Sequence, residues 1–491
     1  MSRDGDVEIS GNLLGFDGEF YRVDTIYGEL TVDGSGVDCA GPGCPDLANY
    51  VAEVTFAGAS TVGRVLFPAL IESFAQRGSY TLTREIQNDN SVTMLLRDRD
   101  SGQLKGRFYF HLTDSSEGFA DLLANQADVV IALREVREQE NNLAVAAGIG
   151  DLTNRRRSRV LALDALVPLV AADNPIFSIT TPQLAEVLTG QIDNWMTLGG
   201  PDAPIAVHLL GQETGLGQAT EDLVLINGGP ALSATAIRHS DPRTLVKAVE
   251  RDPFAIGIGS RTEIGVTREV SLTGACGFDL SATRRAVKTE DYPLTAPVFL
   301  YMPARRFPKL VREFLIYAQS PSAQLVIRRA GYVDQLPEEI DINEQGDRFA
   351  NAVLRAGEDV QLEDLQQMIR VLTPLKRLTT TFRFEPGSAR LDAQSRANVS
   401  QLAQALERGL YDTRRLVFVG FSDGDGPANT NRQIAKRRAT AVRTAVVEAA
   451  ETANLTRLTL ETQAFGEAMP MACDDSEWGR RANRRVEVWV Q

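Results

Sequence analysis

The stretch Gly420-Phe421-Ser422-Asp423-Gly424-Asp425-Gly426, with Asn431-Arg432-Gln433-Ile434-Ala435-Lys436-Arg437-Arg438-Ala439 shortly after it, decides how the C-terminal part reads. The apolar run Leu416–Phe421 predicts a strand that delivers Asp423 to its C-terminal edge. A glycine-rich loop follows, then a helix over Arg432–Ala449. Arg438 falls about two turns into that helix, beside an apolar stripe of Ala435, Ala439, Val442 and Val446. An aspartate at a strand end and an arginine near the next helix start can share one pole. Such a pair suits a zwitterion: its carboxylate takes a forked hydrogen bond from the guanidinium, and its ammonium pairs with the aspartate. The same spacing also suits an internal salt bridge that staples loop to helix.

Working outward, residues 376–491 alternate as β-α-β-α-β. Phe382 and Phe384 mark a strand, Leu391–Leu406 a helix, and Leu458–Ala464 and Val486–Val490 the closing strands. This segment holds 18 basic and 14 acidic residues, a net +4 in a chain whose total is −14. Its motifs are a phenylalanine strand with Ser388 and Leu391, the loop Gly420-x-Ser422-Asp423, and the helix start Asn431, Ile434, Ala435, Arg438, Ala439. A final run holds Gly479, Arg480, Asn483, Arg484, Arg485, Val486 and Glu487. Together these resemble the OmpA-like peptidoglycan-binding domain. The resemblance implies that Asp423 and Arg438 hold the zwitterionic end of diaminopimelate in the peptidoglycan stem peptide, with Asn431 in the same motif. Arg484 and Arg485 alternate on a strand, so one should face the ligand pole and the other solvent. Two positions depart from the family: Phe421 where histidine is common, and Ala435 where serine is common.

Residues 52–335 alternate strand-like and helix-like runs, which argues for α/β layers. Gly58-Ala59-Ser60-Thr61 follows a strand and opens a helix over Thr61–Gln76 whose inner side is Val62, Val65, Leu66, Leu70 and Phe74. Glu213-Thr214-Gly215-Leu216-Gly217 precedes the helix of Gln218–Ile226 in the same manner. Backbone N–H groups at a helix start, joined by hydroxyls, cradle an anion; each is also an ordinary helix cap when taken alone. Thr181 is the expected cap of a helix over Pro182–Leu188.

The order of segments Gly58–Val62, Ala127–Val129 with Arg134 and Glu138, Leu163–Val167, Asn174-Pro175, Thr181–Leu184, Ile192–Trp195, Ala255–Gly257 and Tyr292–Leu294 resembles the periplasmic phosphate-binding proteins of ABC transporters. That family has a two-lobed type II binding fold, and Trp195 reads as a mark of the fold. The resemblance implies an oxyanion site at Ser60, Thr61, Arg134, Thr214 and Gly215. Donors usual in the family are replaced at Gln212, Leu216 and Ala296, and Glu213 adds a carboxylate. A buried dianion without enough donors is costly. The fold resemblance is therefore stronger than the ligand resemblance.

Residues 7–38 read as a small antiparallel β module within segment 1–48, and residues 336–375, polar and acidic at first and then mildly helical, as a linker. Cys39 and Cys44 bracket Ala-Gly-Pro-Gly, a turn that lets two sulfurs meet; Cys276 and Cys473 can pair only if two domains touch. A zinc site is disfavoured, because no CxxC occurs and His111, His208 and His239 are far apart in sequence. The 491 residues predict about three domains. The acidic balance argues against nucleic acid as a partner. No run approaches the ~18 apolar residues of a membrane span. No Ser-His-Asp order, HExxH, P-loop or Rossmann fingerprint appears. The expectation is a protein that is not an enzyme and needs no cofactor.

The chain opens without an apolar h-region, which fits either a cytoplasmic protein or a mature exported chain. The two resemblances favour export: a periplasmic, peptidoglycan-associated protein of a Gram-negative cell, its signal peptide removed. Its expected partners are peptidoglycan, phosphate or a similar small anion, and an inner-membrane transporter or sensor. Two functions fit: a wall-tethered solute-binding protein, or a wall-linked interaction protein whose binding fold takes no transported solute.

Overall fold

A computed structural model describes residues 7–224, 231–274, 279–357, 359–385, 388–474 and 477–491. The chain forms two compact units. One comprises Met1–Ala132, Val136–Arg157 and Phe299–Ala330; the other comprises Leu133–Glu135, Ser158–Val298 and Gly331–Gln491.

In the first unit, Asn12–Phe16, Phe20–Thr25 and Gly28–Asp33 form the antiparallel β module that the glycine punctuation predicts. Its core is slight: Tyr21 is buried, with its ring 4.6 Å from that of Phe16. Charge holds it to the rest of the unit. Asp17 and Glu19 face Arg306 and Arg312, and the Lys309 N–H donates to the Asp17 carbonyl at 2.8 Å. Cys39 and Cys44 are disulfide-bonded across their turn, with Cα atoms 5.8 Å apart.

The lobe behind this module is a sheet. Val129–Ala132, Ala52–Ala59 and Leu104–Thr113 are parallel neighbours; Ser91–Asp98 and Tyr80–Asn88 add antiparallel strands beyond. Parallel strands are covered on both faces, so Phe56 and Phe110 sit at or below 2% exposure. Helix Ser60–Arg77 covers one face with Val62, Leu66, Phe67, Leu70, Ile71 and Phe74. Val65, expected in that stripe, is 50% exposed. The bulk of Phe67 and Ile71 turns the helix so that its inner stripe runs through them instead. Helix Ser115–Leu123 lies close on the sheet: a Cβ at Gly118 would sit 2.9 Å from the Gly58 Cα.

The second unit contains another α/β lobe. Ile237–His239, Ala206–Leu210 and Ala255–Ser260 run parallel, and Ser158–Val170 pairs antiparallel with the last of them. Helix Thr181–Thr189 is capped by Thr180, one residue before the expected Thr181. The Thr180 hydroxyl accepts from the Gln183 N–H at 3.2 Å, and the Gln183 side chain accepts from the Thr180 N–H at 3.0 Å. Thr180 also ends the strand Ser178–Thr180, which gives it the extended backbone a cap needs. Trp195 is fully buried and donates its indole N–H to the Phe254 carbonyl at 2.8 Å, a structural role as expected.

The same unit carries the C-terminal domain. Its sheet runs Glu339–Ile340, Lys376–Arg383, Arg485–Val490, Arg415–Phe421, Thr459–Gly466. Helices Ala393–Glu407 and Ala428–Ala449 cover one face. The long helix starts four residues earlier than expected, because residues 428–431 supply a first turn of small and polar side chains. Arg438 is therefore nearly three turns in. The other face overturns the expected linker. Within residues 336–375, helices Gly346–Leu354 and Leu362–Leu372 set Ala352, Leu365, Met368 and Leu372 against Val417, Val419, Phe421 and Trp489. The cause is the strand's alternation: Leu416 and Phe418 point to one face, Val417, Val419 and Phe421 to the other, and both apolar faces need cover.

Candidate functional site

At the C-terminal pole, the strand Arg415–Phe421 hands the chain to Ser422 and Asp423. Gly420 permits the close approach of the long helix there: a Cβ on it would lie 2.1 Å from the Ala435 carbonyl oxygen. Asp423 Oδ2 accepts from Arg484 Nη1 at 2.9 Å. Arg484 reaches in the other direction to Glu477, so one guanidinium joins two carboxylates. Arg438 is half-buried, its guanidinium carbon 5.0 Å over the Phe384 ring. Desolvation and the Arg484 charge lower its pKa, and the Asp423 charge opposes them, so Arg438, Arg484 and Asp423 feel one another. No carboxylate among the described residues forms an ion pair with Arg438. The Ser422 hydroxyl is buried beside Asp423 with no hydrogen-bond partner among the described residues. The pole thus offers a cation, an anion and a hydroxyl.

The other expected residues differ. Asn431 is buried; its amide donates to Glu467 Oε2 at 2.7 Å and to the Gly426 carbonyl at 3.2 Å, which fixes the loop. Arg485, expected at the pole or in solvent, lies in neither place. It is fully buried, donates to Glu487 Oε1 at 2.7 Å and to the Met469 carbonyl at 2.9 Å, and stacks 4.3 Å over Phe421. The reason is the second helical layer: with both sheet faces covered, neither side of this strand is solvent. Glu487 also pairs with Arg348 and Arg377, and these cations hold its carboxyl well below the ordinary carboxylate range. Sequence motifs do not reveal Glu477, which reaches Arg484 two turns along a short helix that carries no apolar period of its own, or Arg348, which sits in the segment read as a linker.

The central elements fall in different units. In the first, Ser60 and Thr61 open their helix, and no side chain caps its first turn. Gly58 before them has φ +119°, a conformation glycine favours, and a Cβ there would meet the Ile131 carbonyl at 2.2 Å. In the second, Arg134 is buried and donates to the Glu135 carbonyl at 3.0 Å. Thr214 precedes helix Gly215–Val224, but its hydroxyl donates to the Gly211 carbonyl at 2.8 Å and accepts from the Gly217 N–H at 3.0 Å. It acts as a helix cap. Glu213 is exposed.

His208 Nδ1 and His239 Nε2, distant in sequence, are 2.9 Å apart on adjacent strands. Among the described residues no group of three histidine, cysteine or acidic side chains is placed to hold a metal. Cys473 is disulfide-bonded, and Cys276 lies outside the described residues.

Residues 51–322 match the PBP superfamily domain, and residues 383–484 match the OmpA family. The chain is 26% identical over 228 residues to Protein SphX of Synechococcus elongatus, a match spanning 44% of this chain and 65% of the relative. It is 29% identical over 224 residues to the phosphate-binding protein PstS of Borreliella burgdorferi, spanning 45% of this chain and 76% of the relative. Among solved structures, an ABC-type phosphate transport receptor from Vibrio cholerae aligns at 20% identity with a TM-score of 0.44, over 57% of this chain and 99% of that one. The chain therefore belongs to the PBP superfamily of solute-binding folds and carries a C-terminal OmpA-family domain.

Proposed function

We propose that this protein is an exported oxyanion-binding protein, with phosphate as the leading solute, held at the cell wall by its OmpA-family domain. The observation that carries the tether is the pole of Asp423 and Arg438. Arg438 has no ion-pair partner among the described residues and lies near an aspartate shared with Arg484. A zwitterionic diaminopimelate end meets both charges there: its carboxylate on Arg438, its ammonium on Asp423. The buried Ser422 hydroxyl supplies a further contact. Asn431 positions the loop, and Arg485 belongs to the fold.

Phosphate as solute is supported by the PBP superfamily match and by the likeness to the phosphate-binding protein PstS. The candidate contacts are Ser60 and Thr61 at a helix start in the first unit and, in the second, Arg134 and Gly215, each unit taken by itself, with Thr214 a cap behind Gly215. In this reading the protein resides in a Gram-negative periplasm and meets an inner-membrane transporter or sensor. A fixed tether suits local capture or sensing better than shuttling.

A second reading rests on one observation: the Thr214 hydroxyl is engaged within its own turn, and the usual donors at positions 212, 216 and 296 are absent. That favours an interaction protein with no transported solute. Two experiments decide. Sedimentation with purified sacculi tests the tether: Asp423→Ala and Arg438→Ala should each release the protein, and unchanged pelleting refutes it. Calorimetry with inorganic phosphate on refolded full-length protein tests the solute: micromolar or tighter binding, lost in Arg134→Ala, supports the receptor, whereas absent heat supports the second reading.

A further inference from the structure

The short helix Glu477–Asn483 and the residue after it carry the polar edge of the wall pole. Glu477 opens the helix, and Arg484 follows it, with its N–H on the Arg480 carbonyl at 2.9 Å. A helix of this length is held by what binds its free C-terminal carbonyls. Here that is Arg383, buried to 4% exposure. Its Nη1 donates to the Ala482 carbonyl at 2.7 Å and to the Arg481 carbonyl at 3.3 Å. Its Nη2 donates to the carbonyl of Glu290, a residue of the solute-binding lobe, and lies 3.6 Å from Asp291 Oδ1. One guanidinium therefore ties the wall pole to the lobe.

The lobe side is built to hold that carbonyl in place. Glu290 has φ +57°, an unusual conformation for a residue with a side chain. Its carboxyl accepts from Asn398 Nδ2 at 3.3 Å. Asp291 next to it takes a two-pronged ion pair from Arg377, at 2.8 and 3.2 Å, with both side chains buried. Lys288 pairs with Asp334 at 2.8 Å and Glu338 at 2.9 Å. The two domains of this unit meet over buried, mutually paired charges.

We propose that Arg383 is a positioning residue for the wall site, and that the Glu290 turn of the solute-binding lobe sets, through Arg383, the placement of Arg484 and hence of Asp423. The inference rests on the diaminopimelate reading above. It makes the wall site sensitive to the charge of Glu290. The groups that bear most on Glu290 are Asp392, Arg383, Arg481 and Asn398, and a second buried carboxyl, Glu135, acts on the same Asp392 and Arg481. Burial and the Asp392 charge push the Glu290 carboxyl up to about 8, so it is neutral at pH 7. Once ionised, it competes with Asp392 for Arg481 and draws Arg383 off the helix carbonyls.

The test uses the full chain and a synthetic stem tripeptide ending in meso-diaminopimelate, titrated from pH 6.5 to 9, with melting temperatures recorded in parallel. Arg383→Met should weaken binding about 5-fold or more at pH 7. Wild type should lose affinity as pH passes about 8, and Glu290→Gln should keep its pH 7 affinity but lose that part of the decline. The ligand's own ammonium titrates alike in both, so the difference between profiles is the readout. If Arg383→Met melts early, Glu290→Gln alone decides. Binding lost in Asp423→Ala while both other variants match wild type at every pH overturns the coupling and leaves the tether standing. No binding by wild type overturns the tether and the coupling together.

Discussion

Two arginines adjacent in sequence, Arg484 and Arg485, meet opposite environments. Arg484 lies at the pole, shared between Asp423 and Glu477. Arg485 is fully buried on Glu487, whose carboxylate also holds Arg348 and Arg377. The chemistry of the two clusters is the same; the cover is not. In the buried cluster every guanidinium is committed, so the charges specify the fold and leave nothing for a ligand. At the pole, Arg438 has no ion pair among the described residues, and its charge is available to a visiting carboxylate. An arginine's motif position alone does not separate these roles. The layer of helices above the sheet does.

The largest effect that tests this contrast is Glu487→Ala. It leaves three buried guanidiniums without their shared anion and should cost about 3–5 kcal/mol in denaturant unfolding of the C-terminal domain. A cost below about 1 kcal/mol would place Glu487 with the pole instead.

Next is a buried carboxylate with no ion pair among the described residues. Asp164 accepts from the Ser260 hydroxyl at 2.6 Å, and burial pushes it up to about 6 from an ordinary 3.8. Its folded form holds the proton longer than the unfolded form. Its contribution is therefore intact below pH 3.8 and lost as pH rises to about 6, by roughly 3 kcal/mol. Glu487 has the opposite sign: its contribution is present above its ordinary 4.5 and lost as pH falls below it. Asp164→Asn should flatten the rise-side loss in a melting profile across that window; an unchanged slope would show that Asp164 does not titrate there.

Smaller in stability but decisive for function, Asp423→Ala should reduce stem-peptide affinity about 10- to 100-fold, the worth of one charge-assisted pair, and leave the melting temperature nearly unchanged. The smallest effect is remote from both clusters. Thr180→Ala removes a helix cap and should cost about 1 kcal/mol without moving wall binding.

How much was legible in the sequence follows from range. Strands and helices of the C-terminal domain carry their own periods, so Arg415–Phe421 and Arg485–Val490 fall within a residue of expectation. Asp423, Arg438 and Arg484 assemble at one pole because their motifs are anchored to those elements. Strand alternation alone misplaces Arg485, because its burial depends on helices Gly346–Leu354 and Leu362–Leu372, whose register on the sheet no local pattern encodes. Arg383 escapes sequence reading for a similar reason: its partners lie near positions 290 and 482, and its residue type alone says nothing of either. Thr214 reads as an anion contact or a cap with equal ease, and only its hydrogen bonds separate the two.

The two helices over Val417, Val419, Phe421 and Trp489 also bear on how such a protein can be assembled from parts. The OmpA family match begins at residue 383, past both helices. A fragment cut there would bare an aromatic and aliphatic sheet face to water and should self-associate. A genetic exchange that moves this domain to another protein must carry the preceding forty or so residues with it, so the heritable module is larger than its signature.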